Sequence, residues 1–419
     1  MNRETLLKSR VRARRMRLSD GMGAMTTSKT LADFLDASDI EKLNRPVGEA
    51  IGLPGRMFGA EFFALEQRDY FPRIWSPVGF ASDIPDVGDA KPVELAGWPI
   101  LLVRGKDKQV RAFLNVCRHR AMRVVTEPCK GRSTFMCPWH AFTYDLEGKL
   151  VATPKIGGDR ANRDASFKME DVDLKPVRIG QWLDMIFVNI DGKAKPFEEH
   201  IQPLNDLLEP FYDLSTLKRA ESWSTVYEGN WKVAVETVLD EYHIPFAHPQ
   251  LIQGVKHNNH ENAHHDGLFV MTSNARIYSD TRDSGTAMGY HFNFPRILKE
   301  SAPEPRSHFI TILPIGAIQT RPNHALLGLF LPDGPDKTNI VFVHYYPSES
   351  ATDPAFKQAR DENVVSWKEV FAQDTDFAIY VHKNHEIRDA AGIGTRMAPA
   401  WEKGVASFYR SMIEVMQQR

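Results

Sequence analysis

CRHRAMRVVTEPCKGRSTFMCPWH, residues 117–140, sets Cys117 two positions before His119 and Cys137 three before His140, with seventeen residues between the pairs. Each loop therefore offers one thiolate and one imidazole. Zinc can be held by two Cys and two His, but zinc sites usually pair like with like, as C-x2–4-C and H-x3–5-H. Mixed pairs suit a [2Fe–2S] cluster in which one iron takes both thiolates and the other both imidazoles, so that each loop supplies one ligand to each iron. Pro138 restricts Cys137 to extended backbone and helps hold its loop open toward a metal. Exchanging two thiolates for neutral imidazoles raises the reduction potential into the range of about −150 to +300 mV, fit to accept electrons from a flavin or ferredoxin donor. Cys117, His119, Cys137 and His140 are the candidate cluster ligands. Cys129, between the pairs, reads as an ordinary thiol.

The flanking sequence is β-rich. WSPVGFASDIP, KPVELAGWPILLVRG and VRAFLNV lead into the loops, separated by Gly, Pro and Asp turns of the kind found in small antiparallel sheets. FTYDLEGKLV reads as a hairpin turning at Glu147-Gly148, and VRIGQWLDMIFVNID closes the region. Gly192 to Pro196 then forms a boundary. Helical patterns follow in PFEEHIQPLNDLLEPF and NWKVAVETVLDEYH, succeeded by four or five long strands such as HFITILPIGAIQT, HALLGLFLP and TNIVFVHYYP. A helical stretch from about Pro354 to His385 precedes an irregular tail. Ahead of the β-rich region lie a basic arm, LLKSRVRARRMR, and a short helix in TLADFLDASDIEKL. The expected division is an arm and helix over 1–50, a cluster domain over 51–195 and a larger α+β domain over 196–419.

The second constellation lies in NWKVAVETVLDEYHIPFAHPQL. Glu236, Asp240 and His243 fall at i, i+4 and i+7, on one face of a helix. Pro245 ends or kinks that helix, which lets His248 swing back toward His243. Two imidazoles and a carboxylate from elsewhere would form a facial triad with open positions, the arrangement of non-haem Fe(II) that activates O2. A lone His-x4-His pair is more often surface or core; beside a one-electron cluster, which needs a terminal acceptor, the metal reading is preferred.

Together these motifs resemble the α (terminal oxygenase) subunit of the Rieske non-haem iron oxygenases. The cluster pattern C-x-H…C-x-x-H is met at Cys117, His119, Cys137 and His140, and the catalytic pattern N-W-K…D-x-x-H-x4-H at Asn230, Trp231, Lys232, Asp240, His243 and His248. The resemblance runs from about residue 70 to the C-terminus. It implies an α+β fold, a β-rich Rieske domain joined to an antiparallel-sheet catalytic domain with flanking helices of helix-grip type. It implies that Asp240 is a bridge rather than a ligand, linking a ligand His of the mononuclear iron to a cluster His of the neighbouring subunit, and a buried Asp paired with two ring N–H donors is tolerable. Glu236, one turn earlier, reads either as support for the site or as an ordinary charged helix residue. The third iron ligand is expected on a downstream helix. QD…VHKN resembles the family's ED…VQRG, with Gln373 for Glu and His382 for Gln as departures, and favours Asp374; a stripe through Trp367, Phe371, Asp374, Ala378 and Val381 would face the core, and Asp376 falls off it, although a rival alignment on DFAI favours Asp376.

The resemblance further implies a terminal oxygenase that takes NAD(P)H-derived electrons from a separate reductase, with or without a ferredoxin, to a mononuclear Fe(II). O2 and a small organic substrate, an aromatic acid or a quaternary amine, would meet there in hydroxylation, cis-dihydroxylation or oxidative demethylation. A head-to-tail homotrimer is implied, with or without a β subunit. The rivals are a Rieske electron-transfer protein carrying a non-catalytic binding domain and a zinc-stabilised interaction module.

Composition sets outer limits. With 52 Lys and Arg against 54 Asp and Glu, the chain has no charge excess to recommend a nucleic-acid or acidic-membrane partner. No run approaches the roughly 20 apolar residues needed to span a bilayer. Three cysteines are too few for a disulfide framework, so a reducing cytoplasm is expected. No G-x-G-x-x-G follows a strand, so NAD and flavin are expected on the partner reductase. HNNHENAHH, with His257, His260, His264 and His265, reads as a polar lid-type loop beside the site. Phe292, Phe294, Phe309, Ile318 and Phe330 read as core at strand spacing.

Overall fold

The computed structural model describes residues 28–252, 255–265, 268–278, 294–303 and 307–418. The basic arm and Phe292 lie outside them. A six-stranded antiparallel sheet, in the order β1-β9-β8-β4-β3-β2, is built from β1 (Ser76–Phe80), β2 (Ala90–Leu95), β3 (Trp98–Arg104), β4 (Val110–Leu114), β8 (Pro176–Trp182) and β9 (Met185–Asn189). Between β4 and β8 the chain leaves to form a three-stranded sheet of β5 (Thr134–Met136), β6 (Thr143–Asp145) and β7 (Leu150–Ala152). KPVELAGWPILLVRG is a hairpin that turns at Ala96 and Gly97, both with positive φ. VRIGQWLDMIFVNID is another, turning at Leu183-Asp184. A separate apolar cluster that includes Phe113, Phe135, Phe142 and Tyr144 encloses Cys117 and Cys137.

The second sheet has seven antiparallel strands in the order β10-β16-β15-β14-β13-β12-β11. They are β10 (Leu217–Tyr227), β11 (Val255–His265), β12 (Phe269–Tyr278), β13 (Ser307–Ile312), β14 (Gly316–Arg321), β15 (His324–Pro332) and β16 (Thr338–Pro347). HFITILPIGAIQT, expected as one strand, is a hairpin of β13 and β14 that turns at Leu313-Pro314-Ile315; proline has no N–H for a ladder, which puts it in the turn. HNNHENAHH lies on β11 and not in a loop: its backbone pairs with β12, His257 with Ile277 and His265 with Phe269. The tail expected to be irregular contains the helix Lys403–Gln417, whose Phe408, Met412 and Ile413 enter the main core. TLADFLDASDIEKL splits into a 3-10 turn and a helix at Ala37–Leu43, because Asp36 caps the helix by accepting from the Asp39 N–H.

Residues 51–69 precede β1 yet pack on the helices that carry the second motif. The Gly55 and Arg56 N–H groups both donate to the Asp389 carboxylate at 2.6 Å, and Phe58 stacks on His385 with ring centres 3.6 Å apart. A Cβ at Gly55 would meet the His385 carbonyl oxygen at 1.9 Å, so the approach requires glycine. Below it the fully buried Lys232 ammonium meets the fully buried Glu66 carboxylate at 2.6 Å, and Trp231 Nε1–H donates to the same carboxylate. No helix among the described residues is long and apolar enough to cross a membrane.

Candidate metal centres

The two Cys/His loops have the same backbone. The Cys117 carbonyl accepts from the Ala121 N–H at 2.9 Å while its own N–H donates to Met122 O; Cys137 repeats this with Ala141 and Phe142. Ala121 and Ala141 share a φ of 58°. Two non-glycine residues in the left-handed region are a local strain that a functional geometry explains. The turns point each cysteine inward and each histidine outward: Cys117 and Cys137 are buried, His119 and His140 exposed. The two imidazoles meet edge to face with centres 4.4 Å apart. Among the described residues, the one group of three or more such ligand atoms within 4.8 Å is elsewhere, so Cys117, His119, Cys137 and His140 do not converge on a single ion. Tetrahedral zinc would require that convergence, whereas a two-iron cluster separates a thiolate pair from an imidazole pair. Tyr144 Oη lies 3.5 Å from Cys117 Sγ and accepts from the Arg118 N–H. Burial pushes its phenol well up, which keeps its proton available to the sulfur. Nothing in FTYDLEGKLV beyond its place after the second loop marked this residue.

The second centre begins at a helix that ends earlier than its periodicity suggests. Asn230 caps Trp231–Leu239, accepting from the Lys232 N–H, and Asp240 is already extended at φ −90°, ψ 110°. Glu236, Asp240 and His243 therefore do not share a helix face. Glu236 is half-buried beside Tyr409, on the C-terminal helix, and takes its hydroxyl hydrogen bond. Pro245 does not end that helix; it sits in the first turn of a new short one, Ile244–Ala247, where its missing N–H is not needed. The break brings His243 and His248 together, ring centres 5.1 Å apart.

His243, His248 and Asp374 place one ligand atom each within 4.8 Å of the others. Asp374 Oδ1 lies 2.9 Å from His248 Nε2 and 3.6 Å from His243 Nε2. Asp374 is buried on the inner face of the helix Lys357–Ala390 with Trp367, Phe371 and Ala378, while Asp376 and Val381 are exposed. Each imidazole is oriented through its other nitrogen. His243 Nδ1 meets Asp240 Oδ2 at 3.2 Å, and His248 Nδ1–H donates to Gln373 Oε1 at 2.7 Å; Gln250 donates to the same oxygen. These contacts leave both Nε2 atoms turned to Asp374, the donor set and outer support that ferrous iron takes. Burial draws the His243 imidazolium down, but the Asp240 hydrogen bond and the Asp374 and Asp240 charges outweigh it, leaving the group above its ordinary value.

The triad borders a pocket with about 680 Å³ between its walls, its open mouth included. Helices contribute Val238, Trp367, Val370 and Phe371, and the sheet contributes Phe309, Thr311, Ala317, Gln319, Leu326 and Phe342. Phe309, expected as core, lines this space, whereas Phe294, Ile318 and Phe330 are core. The ladder pairs Phe309 with Gln319 and Thr311 with Ala317, so alternate positions of one hairpin make the floor. That alternation is visible in the sequence only once the hairpin is known.

Comparison with known proteins agrees with this geometry. Residues 74–163 match the Rieske [2Fe-2S] domain, and residues 214–418 match the ring hydroxylating alpha subunit (catalytic domain). The carnitine monooxygenase oxygenase subunit of Escherichia coli K12 is 25% identical over 380 residues, 88% of this chain and 95% of that protein. The glycine betaine monooxygenase oxygenase subunit of Chromohalobacter salexigens is 33% identical over 194 residues, 46% of this chain and 42% of its own. Among solved structures, naphthalene 1,2-dioxygenase from a Rhodococcus species superposes with a TM-score of 0.73 at 18% identity, over 91% of this chain and 98% of that one. A quaternary ammonium Rieske monooxygenase in complex with L-carnitine gives 0.70 at 21%, over 90% and 98%. With its cluster fold, its catalytic sheet and both family models in sequence order, the chain belongs to the Rieske oxygenase alpha subunits.

Proposed function

We propose that Cys117, His119, Cys137 and His140 hold the [2Fe–2S] cluster, that His243, His248 and Asp374 hold the mononuclear iron, and that Asp240 bridges the two centres. The observation that carries the reading is the convergence of the two Nε2 atoms and the Asp374 carboxylate at the edge of a largely apolar pocket. When bound, the cluster supplies single electrons and the ferrous iron activates O2. The chain's own residues do the rest. Asp240 and Gln373 hold the imidazole tautomers, Asp374 neutralises charge at the metal, and the apolar walls exclude water and seat the substrate. Electrons come from NAD(P)H through a separate reductase, with or without a ferredoxin. On this reading the chain divides into an arm and helix (1–50), a cluster domain (51–195), whose residues 51–69 pack on the iron domain, and an iron domain (196–419), the two matched segments falling inside the last two. Three free cysteines fit a cytoplasmic setting.

The substrate we favour is a small quaternary amine undergoing oxidative demethylation. Two of the similar proteins act on carnitine and glycine betaine. Glu241 borders the pocket beside Phe309, Phe342, Trp367 and Phe371, and a carboxylate among aromatic faces suits a cation. A small aromatic acid is the second reading, favoured by 31% identity over 218 residues to a 2-aminobenzenesulfonate 2,3-dioxygenase alpha subunit.

Assembly as a homotrimer, with or without a β subunit, is supported by exposed apolar groups at both centres. Met136 and Trp139 flank the outward histidines at the cluster, and the exposed Tyr242 and Phe246, which pack edge to face, follow Asp240 in the chain. The deciding measurement is metal content with turnover: about three irons per chain, and O2 uptake with reductase, NADH and carnitine, betaine or benzoate. Two irons and no O2 uptake would instead identify an electron-transfer protein, and a colourless zinc protein a structural module.

A further inference from the structure

We propose that Gln319 is a substrate-binding residue, its side-chain amide donating to a carboxylate or carbonyl oxygen that the substrate carries into the pocket. This rests on the reading of the pocket as the substrate site. Gln319 is 7% exposed and lines the pocket on the strand β14, yet its Nε2 has no hydrogen-bond partner among the described residues. A buried amide donor without an acceptor is costly and uncommon in native proteins. Among the described residues, its neighbours along the ladder offer none. The ladder sets Gln319 between Phe309 and Leu326, and Ala317 precedes it on the same face. An apolar residue of similar volume would fill this position without that cost, so the retained amide requires a different account, and an acceptor arriving with the ligand supplies one.

A second feature gives the acceptor its charge. Arg321, two residues on and on the same face of β14, is buried with its guanidinium carbon 5.0 Å from the Phe309 ring centre. A buried guanidinium, itself partnered within the fold, thus lies beside Gln319 on this strand. The metal side carries Asp374 on its helix and Asp240 and Glu241 on the segment after Leu239; the sheet side, at Gln319, is a donor with Arg321 beside it. The pocket is polarised, and the ligand it fits carries an oxygen acceptor, preferably anionic, directed at the sheet.

The test uses iron-loaded protein and two matched pairs of probes, glycine betaine against tetramethylammonium and benzoate against toluene, with Gln319→Leu and Gln319→Glu. Affinity is read by calorimetry, and stability of the ligand-free protein by thermal melting. The expected result is that at least one carboxylate-bearing probe binds wild type more tightly than its partner lacking the carboxylate. Gln319→Leu should weaken that probe by about 10- to 100-fold, as loss of a hydrogen bond to a charged group does, and leave the other probe of the pair unchanged. Gln319→Glu should weaken it further. Free of ligand, Gln319→Leu should melt about 1–3 °C higher, because an unsatisfied buried group has gone. If only benzoate shows the dependence, the inference stands and the quaternary-amine substrate falls. If Gln319→Leu melts lower and neither carboxylate probe distinguishes it from wild type, absence of binding included, Gln319 is structural and the inference is overturned.

Discussion

At the residue scale the chemistry turns on which atom of each side chain is left available. Asp240 is the most informative, since its carboxylate takes both the His243 Nδ1 contact and the Tyr242 N–H. Asp240→Asn keeps the shape and removes the charge. Both metals should stay, and a chemically reduced cluster should no longer be reoxidised when O2 and substrate are added; reoxidation at the wild-type rate in a stopped-flow trace would exclude the bridge. The rival carboxylates separate on burial. Asp374→Ala should lower iron toward two per chain and abolish turnover, while the exposed Asp376→Ala should change neither. Gln373 was legible only as a departure from the family pattern. Its oxygen fixes His248, so Gln373→Leu should speed loss of the mononuclear iron to a chelator by about 10- to 100-fold, the usual cost of removing such outer support, and Gln373→Glu should restore retention.

At the element scale the lesson lies in where periodicity stopped being a guide. NWKVAVETVLDEYH carries helical spacing through His243, yet the helix ends at Leu239 and Asp240 turns to extended backbone. Spacing records where apolar residues recur, but the break is set by side chains reaching back to their own backbone, as Asp240 does to the Tyr242 N–H. The four proposed cluster ligands were readable because they sit within 24 positions; Asp374 lies 126 positions beyond His248, and only folding brings them together. The N-W-K tripeptide is likewise explained by long-range contacts: Asn230 Nδ2 donates to Phe58 O and Pro335 O, and Lys232 meets Glu66. Burial pushes the Glu66 carboxyl up and the Lys232 ammonium down, and their contact offsets both. Lys232→Met or Glu66→Leu alone strands a buried charge and should cost about 3–5 kcal/mol, whereas the double substitution should regain most of it. Denaturant unfolding of the four proteins of this cycle checks the pair; additive losses would mean that the two residues act independently.

Glu236 makes the same helix sensitive to pH. Burial pushes its carboxyl from 4.5 up to about 7, although the Tyr409 hydroxyl and Lys232 pull it down. The folded state therefore holds its proton more tightly than the unfolded chain does. The stabilisation is complete below about pH 4.5 and is lost as pH rises through about 7, a contribution of up to about 3 kcal/mol. Glu236→Gln stays neutral and keeps the acceptor for Tyr409. The fall in melting temperature between pH 5 and pH 8 should shrink in this variant; an unchanged slope would show that Glu236 is charged throughout.

At the scale of the whole molecule, the two centres ask for a partner. His119 and His140 are exposed with Met136 and Trp139, and Phe246, 77% exposed, packs on Tyr242 just after Asp240. Exposed apolar groups of this size mark interaction surfaces. Two different patches on one chain make a heterologous contact, which closes only by rotational symmetry. If a ring forms, each cluster serves the iron of its neighbour. Mixing a chain without a cluster (Cys137→Ser) with a chain lacking the mononuclear iron (His243→Ala) should then restore part of the activity, because some interfaces pair a sound cluster with a sound iron. Trp139→Asp should weaken assembly and turnover together while leaving the cluster's absorbance in place. Sedimentation shows whether mixed rings have formed, and a mixed ring with no recovered O2 uptake would place the electron path within a single chain.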